Sequence, residues 1–186
     1  MDKHEQLKKS INSCFRRLPL AKISSAMINL KLFLQYFVLG DEPTIEIINP
    51  QLKLAITQVS QAKSQLQAIE IASQMMRHRF KGLNFRTYFY WWRAWEINPN
   101  KLWSRTGFMH CHHQNFLLRL LLVKSGWFNN KDISFGYSAV WYVSPHQYLI
   151  VKLQNKTNLA LDPWHISRGA RPGEYAAGFT YRQLKS

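Results

Sequence analysis

The stretch RTGFMHCHHQNFLLRLLLVKSGWF, residues 105–128, sets Cys111 among His110, His112 and His113 at the head of a long apolar run. Three chemistries suit those residue types. A thiolate and imidazoles can hold zinc, and His110 and His113, three positions apart, could share a helix face with Cys111 or His112 adding a ligand. Zinc sites usually draw on two separated ligand pairs, however, and no second pair is apparent, so neither a metal nor any other cofactor is predicted. A free cysteine can also simply fill a core. The third chemistry is nucleophilic: a thiolate attacks a carbonyl carbon, provided that a base takes its proton and a further group orients the base. His146, 35 residues beyond Cys111, and Asp162, 16 residues beyond His146, are of the types required.

The elements that must position these residues can be read from periodicity. After Cys111 the apolar positions Phe116, Leu117, Leu120 and Leu121 follow helical spacing, Leu118 and Leu122 widen the stripe, and Gly126 is a good terminator. The pattern predicts a helix that is apolar on nearly all sides and therefore buried, with Cys111 in its first turn and Gly107 allowing a tight approach to it. At a helix N-terminus the unsatisfied N–H groups favour thiolate over thiol and can stabilise an oxyanion beside the sulfur. Beyond the helix the period shortens. Strands are expected at about 135–143, 147–153 and 158–161, with turn signals at Ser144-Pro145 and Asn155. His146 then begins the second strand and Asp162 ends the third, and neighbouring antiparallel strands can set such residues side by side. Only Asp132, Asp162 and Glu174 are acidic beyond Glu96. Asp162 follows LAL and precedes Pro163 and Trp164, which predicts partial burial, and a buried carboxylate needs a partner such as an imidazole N–H. His165 reads as a turn residue and as the reserve candidate for the base.

Upstream, GDEPTIEIINP marks a boundary with Gly40, Pro43 and Pro50. It separates a basic leader, residues 1–45, from the main domain, residues 46–186. Over residues 27–37 the leader fits both strand alternation and a helix face, and the choice stays open. Two helices are expected next. One has Asn49 as cap and Pro50 at its first position; the other has Ser64 as cap, a buried face of Leu66, Ile69, Ala72, Ser73 and Met76, and Gly82 as terminator. The aromatic block of Tyr88, Phe89, Tyr90, Trp91, Trp92 and Trp95, interleaved with Arg86 and Arg93, fits a core layer or cleft lining better than base stacking, because no RNA-binding signature accompanies it. The tail HISRGARPGEYAAGFTYRQLKS, rich in Gly and Pro, is expected to cross the surface irregularly, with Arg168 and Arg171 able to favour an acidic substrate.

With GFMHCHHQNFLLRLLLVKSGWF, SPHQYLIVKL and LALDPW in this order and spacing, the chain resembles the transglutaminase-like superfamily of papain-fold cysteine enzymes. The resemblance covers roughly residues 50–164, including the helical lead-in; the histidine-rich surroundings of the cysteine and the small, very basic domain depart from the family's pattern. It implies an α+β fold, with helices packed on an antiparallel sheet and a helical N-terminal part. It also implies a Cys-His-Asp triad, with Cys111 as nucleophile, His146 as general base and Asp162 as its orienter. The backbone N–H of Cys111 would give part of an oxyanion hole, and a Trp or Tyr between Tyr88 and Trp103 is the guess for the second donor. The family's chemistry is acyl transfer through a thioester on a protein or peptide substrate: peptide or amide hydrolysis, or glutamine–amine crosslinking.

Composition bounds these readings. The 186 residues, 46% hydrophobic and 14% aromatic, suffice for one folded domain and exclude a disordered tail. Lys and Arg number 25 against 10 Asp and Glu, a net +15 that attracts anionic partners. An anionic membrane surface is one, since AMINLKLFLQYFVLG follows a basic stretch yet is too short and too interrupted to span a bilayer; nucleic acid is the less favoured partner. Two cysteines, Cys14 and Cys111, build no disulfide framework, and no clean secretory signal is visible, so a cytoplasmic protein, with peripheral membrane attachment as the variant, is expected. The alternative function is a catalytically silent papain-like domain acting as a basic binding module for anionic membrane or nucleic acid.

Overall fold

In the computed structural model, residues 32–39, 45–82, 91–141 and 144–184 are described, with the single positions 6 and 86. Helix α1, Pro50–Ser60, begins where Asn49 accepts a hydrogen bond from the Leu52 N–H, with Pro50 at its first position, where its missing N–H costs nothing. Helix α2, Gln65–Arg79, is capped by Ser64, whose side chain accepts from the Gln67 N–H. It buries Ile69, Ala72, Ser73 and Met76 as expected, but Leu66 is exposed and Ala68 takes the inward position in the first turn.

The helix ends at Arg79, before Gly82, and the next residues take up a different task. Phe80–Lys81, β1, pairs in parallel with Gly107–Phe108, β2. Gly82 is a packing glycine rather than a terminator, because a Cβ there would stand 2.3 Å from the Trp164 indole. Between these strands lie a 3₁₀ turn, Trp91–Trp95, and the short helix α3, Pro99–Trp103, capped by Asn98. The Asn100 amide ties α3 to the chain before α1. It accepts from the Ile48 and Asn49 N–H groups, each at 2.9 Å, and donates to the Glu46 carbonyl.

Helix α4, Cys111–Lys124, runs through the centre with every residue from His113 to Leu122 buried. Gly126 ends it at φ +84°, a conformation that favours glycine. The sheet that follows has the order β3–β4–β5, all antiparallel: Ile133–Val140, Ser144–Lys152 and Asn158–Leu161. The third strand falls where the sequence predicts it. The first turn does not. Ser144 and Pro145 belong to β4, and Trp141 leaves β3 at φ +54°; residues 142 and 143 of the expected first strand lie outside the described residues. After α5, Pro163–Ile166, the tail departs from its expected irregular course and forms an antiparallel hairpin, β6 (Glu174–Ala177) and β7 (Thr180–Gln183). Gly173 and Gly178, both at positive φ, turn the chain there, and Gly178 locks onto the end of β3 by accepting from the Trp141 N–H and donating to the Ala139 carbonyl. Read as loop punctuation, these glycines instead supply the turns that a short hairpin requires.

The helices and the first sheet share one core, built on Leu52, Ile69, Met76, Phe116, Leu117, Leu121, Leu149 and Leu161. Leu34–Leu39 joins it as a π-helical turn: Tyr36 and Phe37 are buried, and Tyr36 stacks on Phe116. Helix thus prevails over strand in the described part of the leader, and that part belongs to the common core. The rest of the leader, with Cys14, lies outside the described residues. Helices packed with antiparallel sheets make this an α+β protein. Among the described residues no helix is long and apolar enough to cross a membrane.

Candidate active site

Cys111 is the first residue of α4. The parallel β1–β2 pair, closed by the Met109 N–H to Lys81 carbonyl bond, delivers the chain to that point through Gly107 at φ +80°. His110 occupies the N-cap position without a side-chain capping bond, so the first-turn N–H groups keep their positive potential. Unlike the buried helix that follows, Cys111 is partly exposed.

His146 and Asp162 come from β4 and from the end of β5, and they meet. The His146 Nε2 and the Asp162 Oδ2 are 2.7 Å apart and both side chains are buried, Asp162 completely. The carboxylate accepts two further bonds. The Ala176 N–H of β6 reaches Oδ2 at 3.1 Å, and the His165 N–H reaches Oδ1 at 3.2 Å, which also makes Asp162 the cap of α5. The tail hairpin, expected to be a mere surface crossing, therefore completes the carboxylate's shell. Because Asp162 takes Nε2, Nδ1 is the nitrogen left free on His146, and the His112 and His146 rings both act on the Cys111 thiol.

The electrostatics follow from these contacts. Burial opposes a thiolate at Cys111, but hydrogen bonds from His112 and His146 and the charges of both rings outweigh it and bring the thiol from 9.0 down to about 5. Burial also opposes an imidazolium at His146, but Asp162 and Cys111 outweigh it and raise the group from 6.5 to about 10. The opposite shifts describe a thiolate–imidazolium pair that is charged across neutral pH.

A ladder of buried amides sets the helix against the strand. Asn115, one turn beyond Cys111, donates to the Gln147 carbonyl at 2.7 Å, and the Gln147 side chain donates to the Phe37 carbonyl at 2.8 Å. Gln147 adjoins His146, so the bond fixes α4 relative to the strand that carries the imidazole. Neither amide stood out in the sequence, although an Asn and a Gln inside apolar runs are a readable sign of a buried polar link.

His112, weighed on sequence only as a metal ligand, bonds the Ala94 carbonyl at 3.0 Å and lies against Phe37. His110, His112 and His113 form a cluster of ring contacts, with centroids 4.1 to 5.8 Å apart. The ligand-type atoms that converge among the described residues lie elsewhere: those of His146, Asp162 and His165 fall within 4.8 Å of one another. His165 is no mere turn residue. It is buried edge-on against His146 at 5.2 Å, and burial, reinforced by His146 and Arg168, lowers it to about 4 against the opposing pull of Asp162.

In the aromatic block, Tyr88, Phe89 and Tyr90 and the side chains of Trp91 and Trp92 lie outside the described residues. Trp95 is exposed and packs on Phe33, while Trp103 fills the core against Phe80 and the Arg79 guanidinium. A cleft of about 640 Å³ borders the 3₁₀ turn, lined by Arg93, Trp95, Lys101 and Arg105 among others. The Arg168 guanidinium lies over the Trp164 ring, and the Arg171 backbone N–H donates to the Glu174 carboxylate.

Comparison with known proteins adds no relative: no protein-family model, curated protein or solved structure matches the chain.

Proposed function

We propose that this chain is a transglutaminase-like cysteine hydrolase or acyltransferase of papain-like core, acting on peptide or amide bonds through a thioester. The buried His146–Asp162 pair, together with a thiol at the head of a buried helix that His146 and His112 hold low, carries the reading. The Cys111 thiolate adds to the acyl carbon, and its own backbone N–H receives the developing oxyanion. The His146 imidazolium then gives a proton to the departing amine as the C–N bond breaks, leaving a thioester and a neutral imidazole. Water or a second amine, deprotonated by His146, attacks the thioester and restores the thiolate. Asp162 holds the ring's orientation and its charge throughout.

Alkylation tests this without a known substrate. Iodoacetamide at pH 6 should label Cys111 far faster than Cys14, with the advantage shrinking toward pH 9 as ordinary thiols ionise. His146→Ala should slow Cys111 about 10²-fold at pH 6, because the thiol's pKa returns toward about 8.5. Peptide mapping that finds equal rates at every pH, unchanged by His146→Ala, would leave Cys111 a core thiol. The net charge of +15 favours a second reading, a silent domain that binds anionic surfaces. That reading requires steeply salt-dependent binding to anionic vesicles or nucleic acid, undiminished in Cys111→Ser.

A further inference from the structure

His165 is not used by the chemistry above, yet its surroundings are unusual for a buried imidazole. Neither ring nitrogen has a hydrogen-bond partner among the described residues, while a buried imidazole ordinarily pairs at least one. Its neighbours are rings on three sides: His146 at 5.2 Å, Trp164 at 4.8 Å and Tyr181 at 5.5 Å. A ligand-type nitrogen of His165 lies within 4.8 Å of ligand-type atoms of both His146 and Asp162. We propose that His146, Asp162 and His165 form an inhibitory site for a divalent transition metal, zinc by the chemistry of its ligands. The proposal concerns regulation of the site and rests on the catalytic reading for its inhibitory consequence, though the binding itself does not.

Two imidazoles and a carboxylate, with one position left to water, are a donor set that zinc accepts at bond lengths near 2.0–2.2 Å. Tetrahedral bonds of that length set ligand atoms about 3.3 Å apart. The His146 and Asp162 atoms, 2.7 Å apart, need only part slightly as the metal replaces the Nε2 proton, which leaves to water. His165, whose ring nitrogens bond nothing among the described residues, turns inward to close the rest of the gap. The carboxylate is already fixed by the Ala176 and His165 N–H groups, the kind of outer bonds that orient a metal ligand.

The geometry separates this site from ordinary zinc capture by a thiolate. The metal sits at Nε2, the nitrogen on Asp162, and the ligand atoms that converge there do not include the Cys111 sulfur. Cys111 is therefore not a ligand. Inhibition comes through the base: with Nε2 on the metal and Nδ1 protonated, His146 has no free nitrogen to take the proton of the attacking water or amine.

The test is direct binding of Zn²⁺ to the full chain, measured by competition with a chromogenic chelator, and the optical spectrum of the Co²⁺ form. Wild type and Cys111→Ser should each take up one metal ion with similar affinity, and the Co²⁺ form should lack a thiolate-to-metal charge-transfer band. His165→Ala should bind at least about tenfold more weakly. His165→Phe, which keeps the ring that fills the space, repeats that comparison in case the smaller residue disrupts folding. No uptake by wild type, equal uptake by both His165 variants, or a thiolate band that vanishes in Cys111→Ser would overturn the site. Alkylation of metal-free wild type in parallel keeps the two ideas apart. Fast labelling without metal uptake sinks the metal site alone, and uptake without fast labelling sinks the catalytic reading alone.

Discussion

His146 and His113 are both buried in the same core, one on β4 and one in the first turn of α4, and their protonation is driven in opposite directions. Burial pushes both toward the neutral form. At His146 a fully buried carboxylate and a thiolate reverse that push and hold the ring charged. At His113 the neighbouring charges of His112, His110 and Arg105 reinforce it, and a bond to the Glu96 backbone does not compensate, so the ring stays neutral well below its ordinary value. The Nε2 of His113 has no partner among the described residues. Within the histidine-rich stretch, composition thus says little about protonation. What decides it is whether a chain segment distant in sequence brings an acid to the ring, and among the described residues the β5–α5 junction does so for His146.

The largest way to break this contrast is to remove the acid. Asp162→Ala leaves a buried imidazole that must give up its charge or stay unpaired, strips the Ala176 N–H of its acceptor and leaves the His165 N–H only the main-chain carbonyl of residue 162. A loss of about 3–5 kcal/mol in urea unfolding is expected. Asp162→Asn, which keeps an acceptor, should lose less stability but should still raise the pH at which Cys111 becomes reactive. The sign of the pH effect is fixed by the raised His146 value. The wild-type contribution is complete below about 6.5 and is lost as pH rises through about 10. The destabilisation by Asp162→Ala should therefore shrink above pH 9. A constant difference from pH 6 to pH 10 would show that the carboxylate does not hold the charge on His146.

The converse experiment removes a ring that has no acid. His113 is depressed in the fold, so the unfolded chain takes up the proton first as pH falls below about 6.5, and stability falls with it. His113→Leu abolishes that uptake. Near pH 7.5 the change should be small, since a lost bond to Glu96 is set against removal of an unpaired polar atom. At pH 5 the variant should gain on the order of 2 kcal/mol over wild type relative to that baseline, read from urea midpoints. His165, also depressed, keeps part of the acid-limb slope in both proteins. Parallel curves for the two proteins would mean that His113 takes up its proton equally in both states.

What the sequence revealed follows the same division. The helix from Cys111, its glycine stop, the caps at Asn49 and Ser64 and the third strand were legible because their signals are local: period, cap residue, terminator. The meeting of His146 and Asp162 was legible through order and scarcity, one acid beside a proline in an acid-poor half of the chain. The β6–β7 hairpin was not, because its glycines signal turns without saying whether the flanking residues pair, and the pairing partner of Gly178 is the distant end of β3. The amide ladder from Asn115 to Phe37 and the unpartnered ring of His165 depend on contacts across 32 to 110 residues in the first case and on missing contacts in the second. No periodicity carries that information.

The finest test asks how Cys111 divides its dependence between two imidazoles. His112 bonds the Ala94 carbonyl at 3.0 Å and is walled by Phe33, Phe37 and His113, which fixes the ring next to the helix start. Its hydrogen bond depresses the thiol at least as much as that from His146. The anchors differ, however: a backbone carbonyl offers a dipole where Asp162 offers a full charge, and full charge is what sustains an imidazolium beside a thiolate. His112→Gln keeps a group able to bond Ala94 but removes the imidazole. It should raise the alkylation pKa of Cys111 by about one unit, against the several units expected for His146→Ala. From a starting value near 5, that slows labelling about twofold at pH 6 and about fivefold at pH 5, with no change at pH 9. An effect as large as that of His146→Ala would make His112 an equal partner of the thiolate. The distinction between an imidazole backed by an acid and one backed by the main chain would then fail at the place where it matters most for the chemistry.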